Sequence, residues 1–219
     1  MPPRLTLAIA LTLMAGPALA QDLPTLRRGD LIFQTSGSDQ STAILEATGS
    51  PYTHVGIVDF DASGALVVLE AAATTRATPI SQWIDRGRDR KIAVYRLDGL
   101  TELEARKVAE AARHQFGKPY DPWFHASPEA LYCSELVQIA FRDALGLELG
   151  QTERLGDLDL AATEALKLVE ARWQSHPACD KGQARDAQDC LARIAEEPIL
   201  TPRALAEDDR LQRIHSTFD

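Results

Sequence analysis

Two periodicities divide this chain into a strand-forming half and a helix-forming half. Residues 54–60 and 65–71 are rich in Val, Ile and Leu, and the polar turn Asp61-Ala62-Ser63-Gly64 between them predicts an antiparallel hairpin. Shorter strands are predicted at residues 30–34, entered from the turn Arg28-Gly29, and at 91–97, where apolar and polar positions alternate. A short helix over 39–48 interrupts this run, with Asp39 as N-cap and Gly49 as stop before Pro51. Beyond residue 100 the spacing becomes helical. Thr101 and Glu104 form a capping-box pair that opens a helix to about Phe116, which Gly117 ends and Pro119 keeps from resuming. After Cys133, the apolar residues Val137, Ala140, Phe141 and Ala144 recur at helical spacing and predict a helix to about Gly146; a further one spans roughly 160–173. The remainder reads as irregular apart from an extended end at 211–214. Strands followed by helices predict an α+β fold, an antiparallel sheet packed against a helix that carries Cys133.

The ends and the charge set the setting for that fold. Residues 1–20 read as a secretory signal peptide, with Arg4 in the n-region, an apolar run over 5–14 and the small-x-small site Ala18-Leu19-Ala20. The apolar run is too short to span a bilayer, and no cysteine beside the cut offers a lipid anchor. Residues 21–219 are then expected to form one domain, exported to the periplasm of a Gram-negative cell or otherwise secreted, with no membrane span after removal of the signal. The chain carries a formal charge of −9 without a basic cluster, which argues against nucleic acid and anionic membrane surfaces as partners. The sequence does not indicate an oligomeric state.

Three cysteines in an oxidising compartment raise the question of which stays free. Cys179 and Cys190 bracket a polar excursion, and a disulfide closing it would leave Cys133 as the single thiol. A metal site of Cys179, Cys190 and His176 is the rival reading; it lacks a short-spaced ligand pair. Cys133 itself opens a helix, where the dipole and free main-chain N–H groups favour thiolate over thiol. Acyl transfer by a thiol also needs a base and a group that orients the base. His54, on a strand in Tyr52-Thr53-His54-Val55-Gly56, and Glu70, at the end of the next strand, fit those roles. If Asp61-Ala62-Ser63 is the hairpin loop, His54 and Glu70 stand directly opposite on one face, about 5 Å apart at Cβ. His125, in a Pro-rich loop before the Cys133 helix, and His114 are competing histidines. A zinc site of His54, Glu70, His125 and Cys133 has no close-spaced pair to support it.

The segments Gly29-Asp30-Leu31-Ile32-Phe33-Gln34-Thr35-Ser36, Ser50-Pro51-Tyr52-Thr53-His54-Val55-Gly56-Ile57-Val58, Glu70-Ala71, Gly117-Lys118-Pro119-Tyr120-Asp121 and Tyr132-Cys133-Ser134-Glu135-Leu136-Val137 occur in that order. Together they resemble the YiiX/YebB-like branch of the NlpC-type cysteine hydrolases. The resemblance runs from about Gly29 to Leu147 and again near Thr201 to Leu211, through Pro202 and Leu205. It implies a circularly permuted papain-like fold in which the histidine strand precedes the cysteine helix. It also implies Cys133 as nucleophile, His54 as base and Glu70 as orienting residue, with no metal or organic cofactor. The stretch at about 173–197 stands outside the resemblance as an inserted loop. For the oxyanion, the Cys133 main-chain N–H is one expected donor, and Tyr52 and Tyr132 are weak candidates for substrate or oxyanion contact.

The resulting expectation is a secreted cysteine hydrolase that cleaves an amide bond in cell-wall peptide material. A lipid-directed amide or ester hydrolase or acyltransferase is the alternative, and a catalytically inactive periplasmic binding module a second one. The wall of the site separates the first two: an apolar groove wide enough for an acyl chain favours lipid, a polar cleft favours peptide.

Overall fold

The computed structural model describes residues 23–125 and 127–218; the expected signal peptide lies outside them. The central feature is a six-stranded antiparallel sheet. Its strands are β1 (Leu31–Gln34), β2 (His54–Phe60), β3 (Leu66–Ala71), β4 (Thr75–Pro79), β5 (Ala93–Leu97) and β8 (Leu211–Ser216), in the order β4-β3-β2-β1-β5-β8. Helix α1 (Asp39–Thr48) follows β1, and α2 (Ile80–Asp85) follows β4. After β5 come α3 (Glu102–Arg113) and α4 (Cys133–Leu145). The last third holds the short pair β6 (Glu153–Arg154) and β7 (Pro198–Ile199), with α5 (Thr163–Arg172) and α6 (Ala187–Ile194) between them, then α7 (Pro202–Ala206).

Alternation along the strands sorts side chains into two cores. Leu31, Phe33, Val55, Ile57, Leu69 and Ala71 bury one face of the sheet against α3 and α4, through Val108, Ala112, Leu136, Val137, Ala140 and Phe141. Ile32, Val58, Val68 and Val94 bury the other face against Trp83 and Ile84 of α2. The central strands are therefore apolar on both sides, which explains their near-continuous Val/Ile/Leu runs.

The hairpin departs from the expected register. Phe60 pairs with Leu66 and Ile57 with Leu69, so the loop is the five residues 61–65, closed by an Asp61 N–H to Ala65 C=O bond of 2.9 Å. The loop is odd, which keeps His54 and Glu70 on one face. They are offset diagonally by two residues, and the register places Gly56 opposite Glu70. A Cβ at Gly56 would lie 2.4 Å from Val68 Cγ1 and 2.9 Å from the Leu69 carbonyl oxygen, so a side chain there would collide with β3.

Other expectations also need correction. Ser38, rather than Asp39, caps α1, its Oγ accepting from the Ser41 N–H at 3.1 Å, while Gly49 ends the helix in the left-handed region as expected (φ 64°). The capping box of α3 forms as predicted. The 173–197 stretch is not an irregular loop: a 3-10 turn over Trp173–Ser175 leads to the Cys179–Cys190 disulfide (Cα atoms 5.5 Å apart) and α6. Asp186 caps α6 and Cys190 and Ile194 are buried one turn apart, a signal too short to outweigh the surrounding polarity. β4 and α2 were also missed, because Thr75-Arg76-Ala77-Thr78-Pro79 has no apolar alternation; its buried residues are threonines.

Candidate active site

Cys133 is the first residue of α4 and is buried, with the Val55 main-chain N–H directed at its sulfur. Strand alternation puts His54 and Glu70 on the Trp83 side of the sheet, whereas α4 covers the other side. The thiol therefore meets the imidazole at the open end of β2, where His54 begins the strand and its ring interacts electrostatically with the Cys133 side chain. His54 Nε2 lies 2.7 Å from Glu70 Oε2, which leaves Nδ1 as the nitrogen for the sulfur.

Glu70 is fully buried and almost saturated with donors. Arg86 Nη2 reaches both carboxylate oxygens (2.6 and 2.7 Å), and Thr78 Oγ1 donates to Oε1 at 2.5 Å. Trp83 stacks on the His54 ring, centroids 5.9 Å apart and 25° between planes. The segment from β4 through α2 thus builds a cradle behind the His54–Glu70 pair. None of Thr78, Trp83 and Arg86 was singled out from the sequence. An arginine and a threonine flanking a tryptophan carry no chemical signature until the register brings them to one carboxylate.

Two other buried carboxylates show what distinguishes Glu70. Asp30 is held by Arg96 (2.7 and 2.8 Å), and Asp59 by Arg113 (2.6 Å) and Arg28. Both are closed arginine pairs, whereas Glu70 alone also grips a histidine that touches a thiol. Burial opposes charge on all three site groups, but their contacts overcome it. Hydrogen bonds from His54 and Thr78 and the Arg86 charge hold Glu70 down to about 2. Bonds to Cys133 and Glu70 raise His54 to about 9. The bond and charge of His54, with the Val55 N–H, bring Cys133 below the ordinary thiol value. The arrangement favours a thiolate–imidazolium pair next to a fixed carboxylate.

The remaining candidates make other contacts. His125 Nδ1 is 3.0 Å from Glu197 Oε2, so the competing histidine is engaged with the last third of the chain. His114 follows α3 as its C-cap. Tyr52 faces the aromatic core with Phe33, Tyr95 and Phe218, its hydroxyl 3.3 Å from that of Tyr95; it is a packing residue. The Tyr132 hydroxyl accepts from the Leu200 N–H at 3.1 Å, tying the start of α4 to the segment after β7. Among the described residues, the one group whose ligand atoms converge as for a metal is His176, Cys179 and Cys190. The two sulfurs of that group are joined to each other.

Comparison with known proteins follows the same lines. Residues 25–215 match the family model described as permuted papain-like amidase enzyme, YaeF/YiiX, C92 family. The chain belongs to this family. Membership in this papain-like amidase family makes it a cysteine hydrolase by class. It is 36% identical over 168 residues to the uncharacterized protein YiiX of Escherichia coli K12, covering 76% of this chain and 81% of that protein. A solved structure titled as the metalloprotein yiiX from Escherichia coli O157:H7 superposes with a TM-score of 0.77 at 30% identity, covering 88% of this chain and 98% of that one. In this chain β2, which begins at His54, precedes α4, which begins at Cys133.

Proposed function

We propose that this protein is an exported amide hydrolase in which Cys133 is the nucleophile, His54 the base and acid, and Glu70 the residue that orients and charges His54. The observation that carries this reading is the chain of contacts from thiol to imidazole to a buried, arginine-clamped carboxylate. The Cys133 thiolate attacks the amide carbonyl carbon, and the oxyanion is met by the Cys133 main-chain N–H at the start of α4. The C–N bond breaks as His54 protonates the amine. Water, deprotonated by His54, then hydrolyses the thioester. Export is supported by the signal-like residues 1–20 and by a disulfide, which persists outside the cytoplasm.

Of the two substrate readings, cell-wall peptide is the less favoured, because the wall beside Cys133 is apolar. A metal does not fit the donors at hand: both sulfurs of the His176, Cys179, Cys190 group are bonded to each other. The test is intact-mass detection of a thioester on purified protein exposed to an activated acyl probe, with the modified residue located by peptide mapping. Acylation of Cys133 that disappears in Cys133→Ala is expected; acylation elsewhere, or none, refutes the assignment.

A further inference from the structure

Beside His54 the sheet buries a polar side chain to which the mechanism gives no part. Gln34 ends β1 and stands directly opposite His54 in the β1–β2 register, so both side chains lie on the Trp83 side of the sheet. It is 1% exposed, and its Oε1 has no donor among the described residues. Trp83, fully buried and stacked on the His54 ring, carries the complementary orphan: its Nε1–H has no acceptor among them. Buried polar groups are as a rule hydrogen-bonded, so an orphan acceptor and an orphan donor flanking one imidazole point to each other.

The turn that follows α2 is fitted to the same carboxamide. Gly87 has ordinary extended backbone (φ −72°, ψ 146°), so glycine is not needed there for its conformation. It is needed for room: a Cβ at Gly87 would overlap Gln34 Oε1 and stand 3.3 Å from its Cδ. The main chain of the turn is also tied to the end of β1, the Arg88 N–H donating to the Thr35 carbonyl at 2.8 Å and Gly87 bridging Ser36. Arg86, immediately before Gly87, clamps both oxygens of Glu70. Gln34 thus stands under both supports of His54, the stacked indole and the clamped carboxylate.

We infer that Gln34 is a positioning residue of the active site: its carboxamide accepts from the Trp83 indole N–H, directly or through one buried water, and props the Arg86–Gly87 turn beside Glu70. This rests on the thiol mechanism proposed above and adds what holds the imidazole in place. Gln34 touches no substrate; it acts through Trp83, which fixes the face of the ring, and through Arg86, which fixes the carboxylate at Nε2. Without it the indole and the turn gain freedom, the imidazolium loses its alignment with the sulfur, and the thiolate loses part of its stabilising charge.

The test reads Trp83 and Cys133 separately. In isotope-labelled wild-type protein, the Trp83 indole N–H should show a nuclear Overhauser contact with the Gln34 side chain and slow exchange with water; absence of that contact overturns the inference without any variant. Gln34→Met keeps the length of the side chain and removes the acceptor. Confirmed folded by circular dichroism, it should shift the Trp83 indole resonance and leave those of Trp123 and Trp173 in place. It should also move the acid limb of the pH profile for Cys133 alkylation by iodoacetamide up by about one pH unit, about tenfold slower on that limb. Trp83→Phe should move the limb in the same sense, and the double variant no further than the larger single change, since the two residues act as one unit. Tyr95→Phe, which removes a buried hydroxyl from the opposite core, should leave the profile in place. A Gln34→Met profile that matches wild type, additive shifts, or an equal shift in Tyr95→Phe overturns the positioning role while the thiol mechanism stands. A wild-type thiol that iodoacetamide does not alkylate near neutral pH refutes that mechanism, and the inference with it.

Discussion

The two sides of Cys133 are built on opposite physical terms. On one side, His54, Glu70, Thr78 and Arg86 form a buried polar network in which every contact is short and directional. On the other, the groove wall is apolar and non-directional, and it is supplied by a stretch anchored through a disulfide. The difference shows how one site separates two demands. Bond chemistry needs fixed charges whose positions tolerate little error, so it is placed on central strands whose register the whole sheet enforces. An apolar wall needs only shape and area, so it can be carried by a peripheral segment outside the sheet.

The sharpest way to break this division is to remove the chemistry and keep the wall. Cys133→Ala is expected to lower turnover by about 10⁵- to 10⁶-fold while leaving ligand binding in the groove, and His54→Ala should cost nearly as much, since members of such a unit are not additive. Assays of turnover beside calorimetric binding check both. If Cys133→Ala also abolishes binding, the two sides are not separable.

Next in size are changes to the cradle. Glu70→Gln should reduce turnover by roughly 10²- to 10⁴-fold, because an amide keeps a hydrogen-bond acceptor but no longer stabilises the imidazolium. Arg86→Ala should cost less and act through Glu70, visible as a change in the pH profile rather than in substrate affinity. His125→Ala, whose ring bonds Glu197 rather than the His54–Glu70 pair, should retain most activity.

The pH dependence sharpens the same point. His54 is raised to about 9, so the stability it contributes is full below its unfolded value of about 6.5 and is lost as pH rises through 9. Glu70 is lowered to about 2, so its contribution is present above the unfolded carboxylate value and is lost as pH falls through 2. Cys133, lowered, remains thiolate below the ordinary thiol value. Alkylation of Cys133 should accordingly be fast at neutral pH, and hydrolysis should fall away on the alkaline side near 9. Glu70→Gln should move that alkaline limb to lower pH; an unmoved limb would remove Glu70 from the ion-pair network.

Gly56→Ala probes the register that joins the regions. The added methyl meets Val68 and the β3 main chain, and a loss of about 1–3 kcal/mol is expected by chemical denaturation. The smallest effect on the thiol chemistry should come from the disulfide. The double change Cys179→Ser, Cys190→Ser removes a short loop closure worth on the order of 2–3 kcal/mol, local to residues 173–197. It should lower stability in chemical denaturation while leaving the rate of Cys133 alkylation unchanged.

The sequence by itself determined the α+β class, the strands that carry His54 and Glu70, the helix that opens at Cys133 and the pairing of Cys179 with Cys190. Each of these is encoded locally, in apolar alternation, helical spacing, a capping box, or a polar excursion between two cysteines. The three residues of the proposed triad were legible because Cys, His and Glu on adjacent apolar elements are chemically conspicuous. Thr78, Trp83 and Arg86 were not, since their role exists only once β4 and α2 fold behind Glu70. The five-residue hairpin loop was decided by pairing across the sheet, which offsets His54 from Glu70 and makes Gly56 necessary between them. The groove, too, belongs to tertiary structure alone. Its lining comes from segments more than a hundred residues apart, and scattered leucines and tryptophans in a polar stretch carry no periodicity that says they will line one cavity beside a thiol.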